Sequence, residues 1–209
     1  MSAPKTDRID RRRVRTRAAL LRAGQQLFAE RSVDGVSIDD IVATADVAKG
    51  SFYNHFPDKE ALAQALANQA RASVETTAAI AGAGVADPAE RVARALCVFV
   101  RQAGEHPEAS RMMLRLFHGA AIPDAPMNAG VRADIQAGLA AGRFSGISRE
   151  AAVLLAVGAV QIAVGRAIER EGAGIEALAA DLALGLLRGL GVADAATVAA
   201  RAAREIFKA

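Results

Sequence analysis

Apolar residues recur at helical spacing along most of this chain. Val14, Ala18, Leu21 and Phe28 share one face, with Leu20, Gly24 and Leu27 beside them. That spacing predicts a first helix over about residues 9–31. Asp34-Gly35 is a turn signal. Ser37 followed by Ile38-Asp39-Asp40 is an S-x-x-D start, a capping box with Asp in the usual Glu place. A short helix to about Thr44 follows it, and another over about 49–55 comes only a few residues later. Pro57 cannot continue that helix and Asp58 is a good N-cap, so a long helix restarts over about 59–80.

The rest of the chain repeats this grammar. Helices are predicted over about 88–104, 107–118, 127–141, 148–171, 175–190 and 194–207. Asp87-Pro88, His106-Pro107 and Ser148 mark starts; Gly82–Gly84, Gly142–Gly146, Gly172–Gly174 and Gly191 mark seams. Residues 122–126 read as a loop, and no internal repeat is visible. The fold expected is all-α with about nine or ten helices. A domain of about 1–60 would contain a helix–turn–helix over about 37–56, and residues 61–209 would form a second helical domain.

Composition agrees with this pattern. Of 209 residues, 51 are Ala and only six are Pro, and half are apolar, which suits helices around a sizeable core. A β-sandwich, a collagen-like chain and a disordered chain are excluded. The net charge of +3 hides an asymmetry: residues 1–22 carry eight Lys/Arg against Asp7 and Asp10. The other 187 residues sum to −3. A basic arm of this kind is either a solvated tail or a contact for a polyanion.

Cys97 is the lone cysteine, so an intrachain disulfide is excluded. The N-terminus lacks the apolar core of a signal peptide. The most apolar stretch, 151–165, spans roughly 22 Å as a helix, short of a ~30 Å bilayer core, and Gln161 interrupts it. These features point to the cytoplasm, with no membrane partner. His55, His106 and His118 are isolated, and no nucleophile triad or phosphate loop stands out. No catalytic residue, metal or cofactor is therefore expected. Cys97 is read as a buried small hydrophobe, with oxidation sensing as the alternative.

The 37–56 pair is the informative feature. Ile38, Ile41, Val42, Val47, Phe52 and Phe56 would form its shared core with Leu27 and Phe28. Lys49, Gly50, Ser51, Tyr53, Asn54 and His55 are then left outward on the second helix. This set brings charged and hydroxyl donors without a carboxylate, as a surface facing phosphates should. Gly50 permits close backbone approach, and Asn54 can pair with an adenine edge. Two short helices so joined place the second in a DNA major groove.

The run VSIDDIVATADVAKGSFYNHFPDKEAL, residues 36–62, resembles the DNA-binding signature of the TetR family of bacterial repressors. KGSFYNHFPDKEAL keeps the family's Lys-Gly-Ser, aromatic-Tyr, His-Phe and Lys-Glu-Ala-Leu elements in order. Beyond residue 65 or so the likeness is architectural. The resemblance implies a homodimeric, ligand-responsive repressor of a palindromic DNA operator. It implies phosphate or groove contacts for Lys49, Ser51, Tyr53 and His55, and a phosphate grip by Lys59. Ser37 and Thr44 would add backbone contacts, Arg17 a phosphate or minor-groove contact. Ala48, Lys49, Gly50 and Asn54 form the base-facing set. Asp46 departs from the family's usual turn Gly, and Ala48 from a frequent Ser; Asp46 is expected to supply the lost cap.

The second domain should pair two copies and hold an effector. Val157, Gly158, Val160 and Val164, with Leu182, Leu186 and Leu190, are the expected dimerisation residues, and packing within one subunit is the alternative. A small hydrophobic effector would lie against Phe99, Met112, Met113, Leu116, Phe117, Phe144 and Gln161, although each also suits plain core. A partner-binding helical dimer that has lost DNA binding is the competing reading.

Overall fold

The computed structural model describes residues 5–115 and 128–208. Every regular element among the described residues is a helix. They are α1 (Lys5–Glu30), α2 (Ile38–Ala45), α3 (Lys49–Tyr53), α4 (Lys59–Gly82), α5 (Pro88–Glu105), α6 (Pro107–Arg115), α7 (Ala129–Ala140), α8 (Arg149–Glu169), α9 (Ile175–Gly189) and α10 (Ala195–Phe207). The chain forms two compact units, 1–69 and 70–209.

In the first unit, Leu20, Ala23 and Leu27 of α1 are buried with Ile41, Val42, Phe52, Phe56, Leu62 and Leu66. Gly24 lets α4 come close: a Cβ there would sit 2.8 Å from Leu62 Cδ2. The Ser37 hydroxyl accepts from the Asp40 amide, and Asp40 accepts from the Ser37 amide, completing the capping box. Asp46 closes α2 in the left-handed region, φ 52°. The Val47 amide donates to Val42 O (3.1 Å) and the Asp46 amide to Ala43 O (3.3 Å). That is a Schellman closure, a place that glycine favours and Asp tolerates. Asp46 does not go on to cap α3: among the described hydrogen bonds, none is accepted by its carboxylate. Ala48 begins α3 without a side-chain cap.

The second unit is built around α5. Val92, Ala93, Leu96, Cys97, Val98 and Val100 are all buried, and α6, α7, α8, α9 and α10 each pack against this helix. Asp87 starts α5 by accepting from the Ala89 amide (2.9 Å), and Ser148 starts α8 by accepting from the Ala151 amide (3.2 Å). Gly191, at φ 74°, ends α9 and turns the chain toward α10.

One length estimate changes. α8 has 21 residues, roughly 31 Å, and is long and apolar enough to cross a bilayer by length and composition. The shorter estimate left out its two polar ends. Ala152, Val153, Ala156, Val157, Ala163, Val164, Ala167 and Ile168 of α8 are buried in this unit's own core, as in a core helix.

Candidate nucleic-acid interface and internal cavity

The residues expected at a DNA surface lie on one small unit. α3 has only five residues, so Asn54 and His55 fall just past its last turn. Phe52 anchors it, fully buried, with its ring edge-on to Tyr53 (5.6 Å) and tilted against Phe56 (5.9 Å). The packing of Phe52 and Phe56 turns Lys49, Gly50, Tyr53 and Asn54 outward; all four are exposed, as are Ala48 and Thr44. A Cβ at Gly50 would meet nothing within 4 Å. Its small size leaves open space rather than relieving a clash. Ser51 and His55 are half-buried.

Three expected contacts have partners within the unit. Ser37 belongs to its capping box, and its amide and hydroxyl hold the Asp40 carboxyl below the usual range. Lys59 Nζ donates to Asp34 O and Val36 O, both at 3.1 Å, so two of its three N–H groups hold the α1–α2 turn. Lys49 Nζ meets Asp39 Oδ1 at 2.7 Å, and that hydrogen bond raises the lysine above its ordinary range. The expectation of a face without carboxylates therefore changes. α3 itself has none, but α2 brings Asp39 beside it. The signal was the helical spacing of Asp39 from the buried Ile41 and Val42.

Arg17 is exposed, with its guanidinium carbon 5.1 Å from the Phe56 ring centroid. His55 is held below its ordinary value, first by partial burial and then by the charges of Arg13 and Arg17. Arg13 and Arg17 of α1 thus lie close to the end of α3.

The second unit contains a cavity of about 360 Å3. Its walls include Val92, Leu96, Phe99, Met113, Leu114, Val131, Ala156, Val160 and Val164. Of the residues expected there, Phe99, Met113 and Gln161 line it. Met112 does not, because its neighbour Met113 takes the inward direction and adjacent side chains on a helix diverge. Phe144 is buried elsewhere, over Gly138, whose Cβ would fall 2.1 Å from the ring. Leu116 and Phe117 lie outside the described residues.

Sequence reasoning missed the cavity's charged members. Arg71 Nε donates to Glu75 Oε1 (2.7 Å) on α4, and Arg91 Nε of α5 to Asp134 Oδ1 of α7 (2.5 Å). All four residues line the space. A usable signal was the stripe Arg71, Glu75, Ala78, Gly82, which keeps helical spacing among charged and small residues. Cys97 is fully buried, and burial pushes its thiol up to about 12. That favours the small-hydrophobe reading over a redox sensor.

The expected pairing residues divide between two faces. Val157, Val164, Leu186 and Leu190 are buried within their own chain, and Gly158, Val160 and Leu182 are half-buried. α8 has two apolar faces: Val157, Val160 and Val164 turn inward, whereas Gly158 shares its side with Leu154 and Ile162. The opposite face exposes Leu154 (38%), Leu155 (38%) and Ile162 (70%).

A family model described as "Bacterial regulatory proteins, tetR family" matches residues 20–66, and one described as "Tetracyclin repressor-like, C-terminal domain" matches residues 87–207. The transcriptional repressor DhaR of Mycobacterium sp. (strain GP1) is 51% identical over 49 residues, 23% of this chain and 25% of that one. The repressor NemR of Escherichia coli (strain K12) is 43% identical over 51 residues, 24% and 26% of the two chains. These matches span about a quarter of each relative. Among solved structures, RolR without ligand superposes with a TM-score of 0.64 at 30% identity, over 88% of this chain and 96% of that one. RolR in complex with resorcinol gives 0.62 at 29%, over 93% and 95%.

Proposed function

The chain belongs to the TetR family of bacterial regulatory proteins, and from that premise we propose that it is a ligand-responsive transcriptional repressor that binds a palindromic operator as a homodimer in the cytoplasm. The observation that carries this reading is the outward set Lys49, Gly50, Tyr53 and Asn54 on a helix anchored by buried Phe52, beside the basic end of α1. Lys49, Tyr53 and Arg17 bind phosphate oxygens and fix the register. Asn54 reads a base edge, and Gly50 and Ala48 let the backbone come near. Residues 1–60 form the reading head, and the remainder senses and dimerises.

Pairing uses the exposed face of α8. Leu154, Leu155 and Ile162 are costly to leave in water together. Gly185 and Gly189 of α9 are also exposed and permit close helix approach. The cavity holds the effector. RolR, similar over nearly its whole length, was solved with resorcinol, which supports a small, largely apolar ligand here. Effector and operator weaken each other by one common factor if they favour different states.

Fluorescence anisotropy with the chain's own upstream DNA, and with palindromes selected from a random pool, tests the reading. Sequence-preferring binding that falls steeply with salt is expected. Its absence on every selected palindrome overturns the reading. Lys49→Ala should weaken binding to all sequences, whereas Asn54→Ala should also relax preference at one position. Ile162→Asp should yield monomers in sedimentation and leave only half-site affinity.

A further inference from the structure

The formal charges on the cavity wall cancel pairwise among the described residues. Arg71 answers Glu75, and Arg91 answers Asp134, through hydrogen bonds of 2.7 and 2.5 Å. Arg91 is fixed further: its Nη1 donates to Val85 O (3.0 Å) and Ala86 O (3.1 Å). Arg71 Nη2 also donates to Asn128 Oδ1 at 3.4 Å. The cations on this wall are therefore turned toward the chain itself. The carboxylates are different. Glu75 and Asp134 each accept from arginine through one oxygen. The second oxygen of each makes none of the described hydrogen bonds, and a carboxylate oxygen can only accept. Gln161 adds a neutral amide on α8.

An anionic ligand entering this space loses its water, finds the cations turned toward the chain and faces two carboxylate oxygens, which disfavours it strongly. An uncharged ligand with hydroxyl groups loses less. Its O–H groups find the two carboxylate acceptors, and its body meets apolar wall. The volume of about 360 Å3 is roughly twice the ~150 Å3 that holds one benzene ring.

We propose that the cavity selects a molecule of one or two rings that donates hydroxyl hydrogen bonds to Glu75 and Asp134, and rejects carboxylates of the same shape. This rests on reading the cavity as the effector site. Glu75 and Asp134 are its specificity-determining residues.

The test uses the full chain and four probes of similar size at neutral pH: phenol, catechol, benzoate and benzylamine. Binding is followed by calorimetry and by saturation-transfer NMR at millimolar concentration. Phenol, catechol and benzylamine should bind, catechol more tightly than phenol, with benzoate weaker by about tenfold or more. Glu75→Gln removes one carboxylate charge that faces the ligand, so benzoate should gain and the phenol-over-benzoate preference should shrink or reverse. Ala156→Phe, which fills the cavity, should remove all four signals. Benzoate matching phenol on the unaltered chain, with the signal still lost in Ala156→Phe, overturns the selectivity and leaves the effector site standing. Signals that survive Ala156→Phe, with the variant's melting curve intact, place binding elsewhere and overturn the proposal. If Ala156→Phe fails to fold, Glu75→Gln decides: an unchanged phenol-to-benzoate ratio overturns the proposal. No signal from any probe sinks the effector-site reading and the proposal with it.

Discussion

Lys49 Nζ lies 2.7 Å from Asp39 Oδ1, so the lysine at the start of α3 meets a carboxylate before it meets a phosphate. Both side chains are more than half exposed, and such a pair contributes little to folding. On the proposed DNA surface Asp39 would repel phosphate and would have to release Lys49 on binding. Asp39→Asn should therefore tighten binding to all sequences severalfold at low salt. It should also steepen the salt dependence by roughly one charge. Anisotropy titrations at several salt concentrations check this, and an unchanged affinity and slope would refute it.

His55 gives the interface a pH dependence. Partial burial and the charges of Arg13 and Arg17 hold its pKa below 6.5, so it is neutral in the free protein at neutral pH. Phosphate near those arginines reverses their effect and favours the protonated ring. Binding then takes up a proton, and affinity rises as pH falls through the ordinary histidine value. The rise should vanish in His55→Gln. A wild-type profile as flat as the variant's would count against it.

Arg143 ties three segments of the second unit together. It donates to Asp87 through Nε and Nη2 (3.0 and 2.9 Å) and pairs with Asp194 (2.6 Å). The Arg143 hydrogen bond, more than the Ala89 amide, lowers the Asp87 pKa below 3.8. A lowered carboxylate stabilises the fold above its unfolded value and loses that contribution as pH falls through the folded one. Asp87→Ala should cost about 1–2 kcal/mol at neutral pH, for the lost cap and ion pair together. The difference from wild type should shrink well below pH 3.8, as read by urea unfolding across pH.

Cys97 should be inert. With the thiol fully buried and its pKa near 12, thiol reagents should label it only on unfolding. Labelling under native conditions at the rate of a free thiol would contradict the burial.

The helices were legible because their punctuation is strong. Asp87, Ser148 and Gly191 sit where caps and turns need them, and the Ala-rich segments between have few competing conformations. The shared core of α2 and α3 was legible for a similar reason, since Ile41, Val42, Phe52 and Phe56 have one small partner surface. α8 was harder. It is apolar all round, so the pattern does not say which face turns inward, and the buried Val157 and Val164 look the same in sequence as the exposed Ile162. The cavity's charges were hidden for another reason. Arg91 and Asp134 are 43 positions apart and meet only once α5 and α7 pack. Taken singly, each reads as a solvated residue.

Lys59 carries one last consequence. By holding Asp34 O and Val36 O it closes a loop of about 25 residues that contains all of α2 and α3. These two short helices are thus enclosed between α1 and α4 by a clasp of one side chain. They open together or not at all, as a single cooperative unit of local unfolding. Amide hydrogens of Ile41, Val42 and Phe52 should exchange with solvent at a common free energy, and Lys59→Met should lower that value for all three at once.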